Sequence, residues 1–176
     1  MSLPVGFDAS EFWNDSDYAR KDYVDELLTD ELVARVEREL AYRLPRAYVE
    51  LCRTQNGGLP RRTCYRTAQA TSWSADHVAI TGIKGIGFSK IWSLCGGLGH
   101  QQLIDDWGYP KIGVYFGDCP SAGHDMFCLD YRTLNAHGEP KIVHVDQEFE
   151  YAITPVAESF ETFVSGLETE DAFPFD

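Results

Sequence analysis

The sequence predicts an α+β domain in which an N-terminal helix pair precedes a mainly antiparallel β-sheet, with a C-terminal helix packed on that sheet. Three observations lead to this fold class. Apolar residues recur at helical spacing in two stretches before residue 58, short β-branched and aromatic runs follow, and helical spacing returns at residue 160. At 176 residues, the chain is long enough for one domain with a sizeable core.

The first helix is predicted to begin after Thr29. A threonine side chain can accept a hydrogen bond from the first turn, and Asp30 and Glu31 suit the positive end of the helix dipole. The apolar face of this helix consists of Leu32, Val33, Val36 and Leu40.

The second helix is predicted over residues 44–55, in the segment LPRAYVELCRTQNGG, which begins at Leu44. Pro45 suits the start because its missing N–H is not needed in the first turn. The mostly apolar face consists of Tyr48, Leu51, Cys52 and Gln55. The sequence Asn56-Gly57-Gly58 is predicted to end the helix, because glycine readily adopts a left-handed C-terminal cap.

Four strands are predicted, over residues 78–83, 112–116, 126–129 and 141–145. Ile112, Val114 and Phe116 alternate with Gly113 and Tyr115, which predicts a strand with one buried face. Turn residues at 117–123 and 135–140, the first beginning with Gly117-Asp118, predict hairpin loops between successive strands.

The C-terminal helix is predicted from apolar residues at i, i+3, i+4 and i+7, namely Phe160, Phe163, Val164 and Leu167. Either Ser159 or the pair Thr154-Pro155 is predicted to start it. The expected organisation is therefore an aromatic and acidic arm over residues 1–28, a domain over 29–167 and an acidic tail over 168–176.

Charge narrows the class of partner. The net charge is −13, with acids concentrated in residues 1–31 and 162–176 and an excess of bases between residues 46 and 94. Nucleic acid is not predicted as a partner, because its phosphates would be repelled. Acidic ends would instead attract a basic protein and speed its encounter.

Composition predicts a cytoplasmic protein. No run approaches the ~20 apolar residues of a membrane-spanning helix, and the N-terminus lacks the basic start and apolar stretch of a secretory signal. The five cysteines are widely spaced without a CxxC motif, which predicts reduced thiols. They are Cys52, Cys64, Cys95, Cys119 and Cys128.

In this order of elements, four segments resemble the SUKH superfamily. LPRAYVELCRTQNGG is similar to the family's second-helix signature, and WGYPKIGVYFGDCPSAGHDMFCLDYR resembles its strand–loop–strand core. GEPKIVHVDQEFEY and the helix SFETFVSGL complete the pattern. The residues that carry the resemblance as fold markers are Leu44, Pro45, Tyr48, Asn56, Gly57, Gly58, Gly117, Asp118, Phe160 and Phe163. Residues 61–108 do not align with the family pattern.

The resemblance implies binding rather than catalysis. Bacterial members of the superfamily resemble immunity proteins that neutralise toxins, often nucleases, and fungal Smi/Knr relatives are interaction modules in cell-wall signalling. We therefore expect an immunity protein with a cognate toxin as its partner, a basic nuclease being one such toxin. The alternative is a regulatory module of the Smi/Knr type without a toxin. The resemblance implies no catalytic residue and no cofactor, and we expect no metal ion.

The partner-binding residues are predicted among exposed acids at the sheet edge and the hairpin loops, because loops on a rigid scaffold commonly carry recognition. The candidates are Asp118, Asp125, Asp146, Glu148 and Glu150. Trp73, Trp92 and Trp107 lie in the divergent middle region and are candidate aromatic anchors, although Trp107 is also expected in the core.

A third hypothesis is a small metal-dependent hydrolase. Titratable residues are dense around the two hairpins, and His144 and Asp146 share a strand face because they are two residues apart. His124 near them would give an acid–base or metal site. The other titratable residues of this region are Asp118, Asp125, Asp130 and Glu148. A zinc site formed by Cys119, His124 and Cys128 is also conceivable, but its spacing matches no usual ligand pattern.

Overall fold

The structure is a computed structural model that describes residues 1–174. Its N-terminal segment packs against the rest of the chain. It contains helix α1 (Ala9–Phe12), strand β1 (Trp13–Asn14) and helix α2 (Asp17–Asp22). Strand β1 pairs antiparallel with β2 (Leu59–Pro60). Tyr23 is fully buried and stacks on Trp92, with ring centroids 5.8 Å apart. Trp13 and Tyr23 of the arm thus add to the core, whereas Tyr18 is 46% exposed.

The predicted helix pair is present as α3 (Asp30–Leu40) and α4 (Arg46–Thr54). The Thr29 hydroxyl accepts a hydrogen bond from the Leu32 N–H at 3.1 Å, as its N-cap position predicts. Pro45 is the N-cap of α4, so this helix begins at the next residue. The left-handed cap predicted at its other end is wrong, because Gln55 leaves the helix in an extended conformation.

The glycines after α4 have a different purpose. Gly57 has a φ of +90°, and a Cβ atom there would lie 2.5 Å from the Gly85 nitrogen and 2.7 Å from the Tyr23 oxygen. Beside it, the Asn56 amide donates to the backbone oxygens of Glu26 and Ile86 and accepts from the Ile86 N–H. The Asn-Gly pair therefore joins α4 to the arm and to the middle region at close approach.

Two sheets follow, and the chain passes from the first to the second through residues 80 and 81. Strands β3 (Cys64–Arg66) and β4 (His77–Ala79) form a hairpin. Strand β5 (Gly82–Ile83) belongs to a second, five-stranded sheet, so the single strand predicted over 78–83 is wrong. Ile80 and Thr81 make the crossing: the Ile80 N–H donates to Thr63, and the Thr81 N–H donates to Asp118.

The five-stranded sheet is antiparallel throughout, in the order β5-β6-β7-β8-β9. Helix α5 (His100–Asp105) lies between β5 and β6 in the chain. The remaining strands of the sheet are β6 (Gly113–Asp118), β7 (Asp125–Asp130), β8 (Lys141–Asp146) and β9 (Ala152–Ala157). Strand β9 was not predicted, and the pair Thr154-Pro155 lies within it rather than at a helix start. Proline is tolerated there because β9 is an edge strand.

The C-terminal helix α6 (Phe160–Gly166) begins at Ser159, whose hydroxyl accepts from the Thr162 N–H at 3.1 Å. Phe160, Phe163 and Val164 are buried. Beyond the helix, Cys64 and Glu168 exchange backbone hydrogen bonds, and the Phe173 ring stacks on His77 with centroids 4.2 Å apart. Of the predicted acidic tail, residues 175 and 176 lie outside the described part of the chain.

Both faces of the central strands are buried, which corrects the prediction of one buried face for β6. Val114 and Phe116 pack in the core under the helices, whereas Tyr115 packs on the opposite face. The second face is covered by α5 and by neighbouring residues of the middle region, including Trp92, Leu103 and Tyr109. The middle region, for which the sequence alone predicted no place in the fold, therefore supplies a layer of it.

The five cysteines all lie within residues 1–174 and form no disulfide there. In the same residues, no helix combines the length and the apolar character needed to cross a membrane.

Candidate functional site

Three of the five acids predicted as exposed contact residues are buried. Asp118, Asp125 and Asp146 have exposed fractions of 5%, 2% and 2%. They lie at neighbouring ends of β6, β7 and β8, where Asp125 is in register with Asp146. The expectation of exposure is wrong for them because each carboxylate bonds to groups within the fold. Glu148 and Glu150, in the turn after β8, are exposed.

Asp118 belongs to a polar group on the sheet face that is covered by the middle region. Its carboxylate accepts a hydrogen bond from the Tyr23 hydroxyl at 2.8 Å. Burial raises the pKa of Asp118 to about 6, although the positive charge of Lys84 opposes the shift. Burial in turn lowers the pKa of Lys84 to about 8. The Lys84 ammonium donates to the Leu98 carbonyl at 2.6 Å and lies 4.4 Å from the centre of the Trp92 ring.

Asp125 forms a second buried group with His144 and Cys119. The His144 Nε2 lies 2.6 Å from the Asp125 carboxylate. Burial raises the pKa of Asp125, but hydrogen bonds from His144 and Ser121 outweigh it and leave that pKa below its usual range. Burial and the nearby carboxylates raise the pKa of the Cys119 thiol well above its ordinary value. We call Cys119, Asp125 and His144 the buried cluster.

Asp146 serves a different part of the molecule. Its carboxylate accepts hydrogen bonds from the backbone N–H of Ser72, at 3.1 Å, and from the Ser72 hydroxyl. The other carboxylate oxygen accepts from the Glu148 N–H at 3.1 Å. Asp146 therefore holds the loop between β3 and β4 against the end of the central sheet.

The metal sites considered from sequence are not assembled as predicted. His124 is exposed and pairs with Glu148 at 2.6 Å, while His144 bonds to Asp125 and Asp146 bonds to Ser72. Cys128 lies on the opposite face of the sheet from Cys119. The structure instead places Cys119 beside Asp125 and His144, a combination that the sequence spacing does not indicate.

A cleft of about 890 Å³ opens beside the loop that Asp146 holds. We call it the Trp73 cleft, after the aromatic side chain at its wall. Strand β2, the β3–β4 hairpin and the C-terminal segment line it. Its lining residues are Asn14, Leu59, Pro60, Thr63, Cys64, Trp73, Ser74, Ala75, Asp76, His77, Ala79, Ile80, Thr81, Pro120, Glu170, Phe173 and Pro174.

The loop that carries Trp73 has a defined conformation. The Thr67 N–H donates to the Asp76 carbonyl at 2.8 Å and the Thr71 N–H donates to the Ser74 carbonyl at 2.9 Å. With Ser72 bound to Asp146, the tryptophan is left 41% exposed at the cleft. The loop thus presents a large, amphipathic ring from a fixed backbone.

The other two candidate aromatic anchors are less available. Trp92 is half-buried between Tyr23 and Lys84. Trp107 is half-buried and lies over Gly123, where a Cβ atom would be 2.3 Å from its ring. Trp73 is therefore the candidate that the structure leaves free for contact. The cleft as a whole was not predicted, and a tryptophan within the polar segment TSWSAD was its one sequence signal.

The charged side chains that line the cleft are both carboxylates. Asp76 is half-exposed and lies 2.8 Å from the His77 Nδ1, and Glu170 is exposed. Arg66 adjoins the cleft, 3.9 Å from Asp76, 3.8 Å from Glu168 and 4.5 Å from the centre of the Phe173 ring. Apolar and aromatic surface between acidic groups suits contact with an apolar residue flanked by basic ones.

The chain was compared with models of known protein families. A family model described as SUKH_6, SMI1-KNR4 cell-wall, matches residues 30–164. The matched range runs from the start of α3 into α6. No curated protein matches the chain.

Proposed function

The chain belongs to the SUKH (SMI1-KNR4) superfamily, and from that premise we propose that it is an immunity protein that binds and neutralises a cognate toxin. Membership of the superfamily supports an immunity or Smi/Knr-type domain in general. The finer assignment to a toxin, and to the cytoplasm as the place of action, is our proposal. We propose a non-catalytic domain over residues 29–167, to which the arm and the tail add contact residues.

The observation that carries the proposal is the exposed Trp73 at a cleft beside two carboxylates. Interfaces between proteins depend on a few anchors, and tryptophan is enriched among them. A side chain of this size that is 41% exposed would gain much apolar burial on contact. The loop is held in place before binding, so little conformational entropy is lost when the partner docks.

Charge favours a basic partner. The chain has 28 acidic and 15 basic side chains, and the charged groups that line the cleft are Asp76 and Glu170. Opposite charge would steer a basic toxin to this surface and raise the association rate. A nuclease is a suitable class, because enzymes that bind phosphate backbones present basic surfaces.

The acids proposed from sequence keep distinct roles in this proposal. Glu148 and Glu150 are exposed in the turn after β8 and remain candidates for direct contact. We propose that Asp146 supports binding indirectly, because it holds Ser72 and so positions the loop that carries Trp73. Asp118 and Asp125 are enclosed, and we propose that they act on binding only by maintaining the fold.

Co-expression tests the proposal most directly. The chain is expressed with the product of the adjacent gene, and both cell survival and complex formation are measured. We expect the neighbour to be toxic alone and harmless with the chain, and the two proteins to copurify. A neighbour that is harmless and forms no complex would contradict the immunity assignment.

The Smi/Knr-type alternative has its own signature in the same experiment. A stable complex with a partner that is harmless when expressed alone would indicate a regulatory module rather than an immunity protein. Trp73→Ala would then be expected to weaken that complex as well. Such a result would contradict the proposal that the partner is a toxin, but it would still support the proposed contact surface.

A further inference from the structure

We propose that Cys119, Asp125 and His144 form a structural zinc site at the shared end of β6, β7 and β8. This inference concerns the fold and does not depend on the toxin. It starts from three titratable side chains that lie together in the protein interior. All three are buried, with exposed fractions of 4%, 2% and 0%.

Geometry is the first support. One ligand atom from each residue lies within 4.8 Å of the other two. A tetrahedral zinc ion at ~2.0–2.3 Å from its ligands would hold them about 3.3–3.8 Å apart. The His144 Nε2 and an Asp125 oxygen are 2.6 Å apart because they share a hydrogen bond. They lie closer together than two ligands of one zinc ion, so the ion would replace that bond and the two side chains would move apart by about 1 Å.

Unfilled bonding capacity is the second support. Three buried side-chain atoms in the described part of the chain have no hydrogen-bond partner, namely Asp118 Oδ1, Asp125 Oδ1 and His144 Nδ1. Two of these three belong to the buried cluster. A buried polar atom without a partner costs about 1–3 kcal/mol. An ion on the Nε2 side of His144 would offer a partner to Asp125 Oδ1, whereas His144 Nδ1 lies across the ring from that ion and gains none.

Charge is the third support. A Zn²⁺ ion bound to one thiolate, one carboxylate and one neutral imidazole has no net charge. The complete site therefore avoids the large cost of an uncompensated buried charge. Sulfur, nitrogen and oxygen donors of this kind are those that zinc uses in proteins. The second oxygen of Asp125 would complete the four positions and leave none open.

Burial decides that the role is structural. A catalytic zinc needs an open position that substrate can reach, whereas these three side chains are enclosed. The ion would join three strands at the end that adjoins the Trp73 cleft, which Pro120 lines next to Cys119. Metal binding to a folded site stabilises the folded state.

The test uses the full chain, stripped with a chelator and then titrated with zinc alone. We expect one zinc ion per chain and a melting temperature that rises by several degrees. Cobalt in place of zinc should show the near-ultraviolet absorption of a thiolate bound to cobalt. Absence of stoichiometric zinc, or of that absorption, would overturn the proposal.

Two matched variants distinguish the site from adventitious binding. Cys119→Ala should lower zinc affinity by more than about 10-fold, since even partners of metal ligands cost 10- to 100-fold, and should abolish the thiolate–cobalt absorption. Cys128→Ala removes an equally buried thiol on the opposite face and should leave both unchanged. Equal zinc binding by the two variants would refute the assignment of Cys119.

Discussion

Asp146 accepts hydrogen bonds from the backbone N–H and the hydroxyl of Ser72, a residue 74 positions earlier in the chain. The carboxylate is buried at the end of β8, and the loop it holds presents Trp73 at the cleft. An acid that the sequence suggested as a contact residue is therefore buried, and it holds the loop that carries Trp73.

Trp73→Ala should weaken binding of the cognate partner by about 2 kcal/mol, or roughly 30-fold in Kd, because it removes the aromatic anchor. Its effect on unfolding should stay within about 0.5 kcal/mol, as for other exposed positions. Calorimetric titration and urea denaturation measure the two quantities. Leu134→Ala is the control: Leu134 is similarly exposed, at 46%, in the hairpin loop at the other end of β7 and β8. Equal losses of affinity in both variants would argue against the cleft as the contact surface.

Ser72→Ala should weaken binding several-fold, because the loop keeps only one of its two hydrogen bonds to Asp146 and Trp73 is then less well positioned. The loss of one hydrogen bond should cost about 1 kcal/mol of stability. A double-mutant cycle separates positioning from direct contact. In the Trp73→Ala background, Ser72→Ala should cause no further loss of affinity. An unchanged loss in that background would mean that Ser72 contacts the partner itself.

Neutralising the two cleft carboxylates, as Asp76→Asn with Glu170→Gln, should lower the association rate at low salt by about 10-fold and leave the dissociation rate nearly unchanged. Long-range attraction acts on encounter and is screened by salt. Stopped-flow kinetics at two ionic strengths measures the effect. Glu158→Gln provides the control, since Glu158 is an exposed acid at the opposite end of the sheet, beside Lys141. A partner whose association with the wild-type chain is insensitive to salt would contradict this prediction.

Gly57→Ala should destabilise the protein by about 3 kcal/mol or more. A left-handed φ costs an L-residue about 1–2 kcal/mol, and the new Cβ would overlap the backbone of Gly85 and Tyr23. Gly138→Ala is a matched control, because Gly138 also has a positive φ but has no atom within 4 Å of its Cβ position. That variant should cost about 1 kcal/mol. Urea denaturation of both variants decides whether close approach, rather than φ alone, requires the glycine.

His100 should reduce stability in acid. Its Nδ1 accepts a hydrogen bond from the Tyr115 N–H at 3.2 Å, and burial, with a contribution from Lys84, lowers its pKa to about 4 from 6.5. Between these values the unfolded chain binds a proton that the folded chain does not. The free energy of unfolding contributed by His100 is therefore present above pH 6.5 and is lost as the pH falls towards 4, by about 2–3 kcal/mol.

Asp118 should change stability in the opposite direction over nearly the same pH range. Its folded pKa is raised to about 6 from 3.8, so its contribution to stability is present below pH 3.8 and is lost as the pH rises to 6. Relative to wild type, His100→Gln should gain stability as the pH falls from 6 to 4, and Asp118→Asn should lose it. Denaturation at a series of pH values checks both signs. Parallel profiles for the wild type and both variants would contradict the two pKa shifts.

Helices were predictable to the extent that their signals are local. Thr29 and Ser159 cap helices a few residues away, and the apolar spacing of α3, α4 and α6 requires only the helical period. Strand β9 was missed because an edge strand tolerates Pro155, which reads as a helix start. The second buried face of β6 was missed because its cover comes from a segment without regular periodicity.

The sequence by itself determined the α+β class, the helix pair, most strands of the sheet, the superfamily and the net negative charge. Tertiary structure decided which acids face solvent. Asp118, Asp125 and Asp146 meet Tyr23, His144 and Ser72, which lie 95, 19 and 74 residues away in the chain. A carboxylate is predicted to be exposed unless a partner compensates its burial. Partners so distant in sequence come together only when the strands and loops pack, so the Trp73 cleft and the buried cluster appear only in the folded chain.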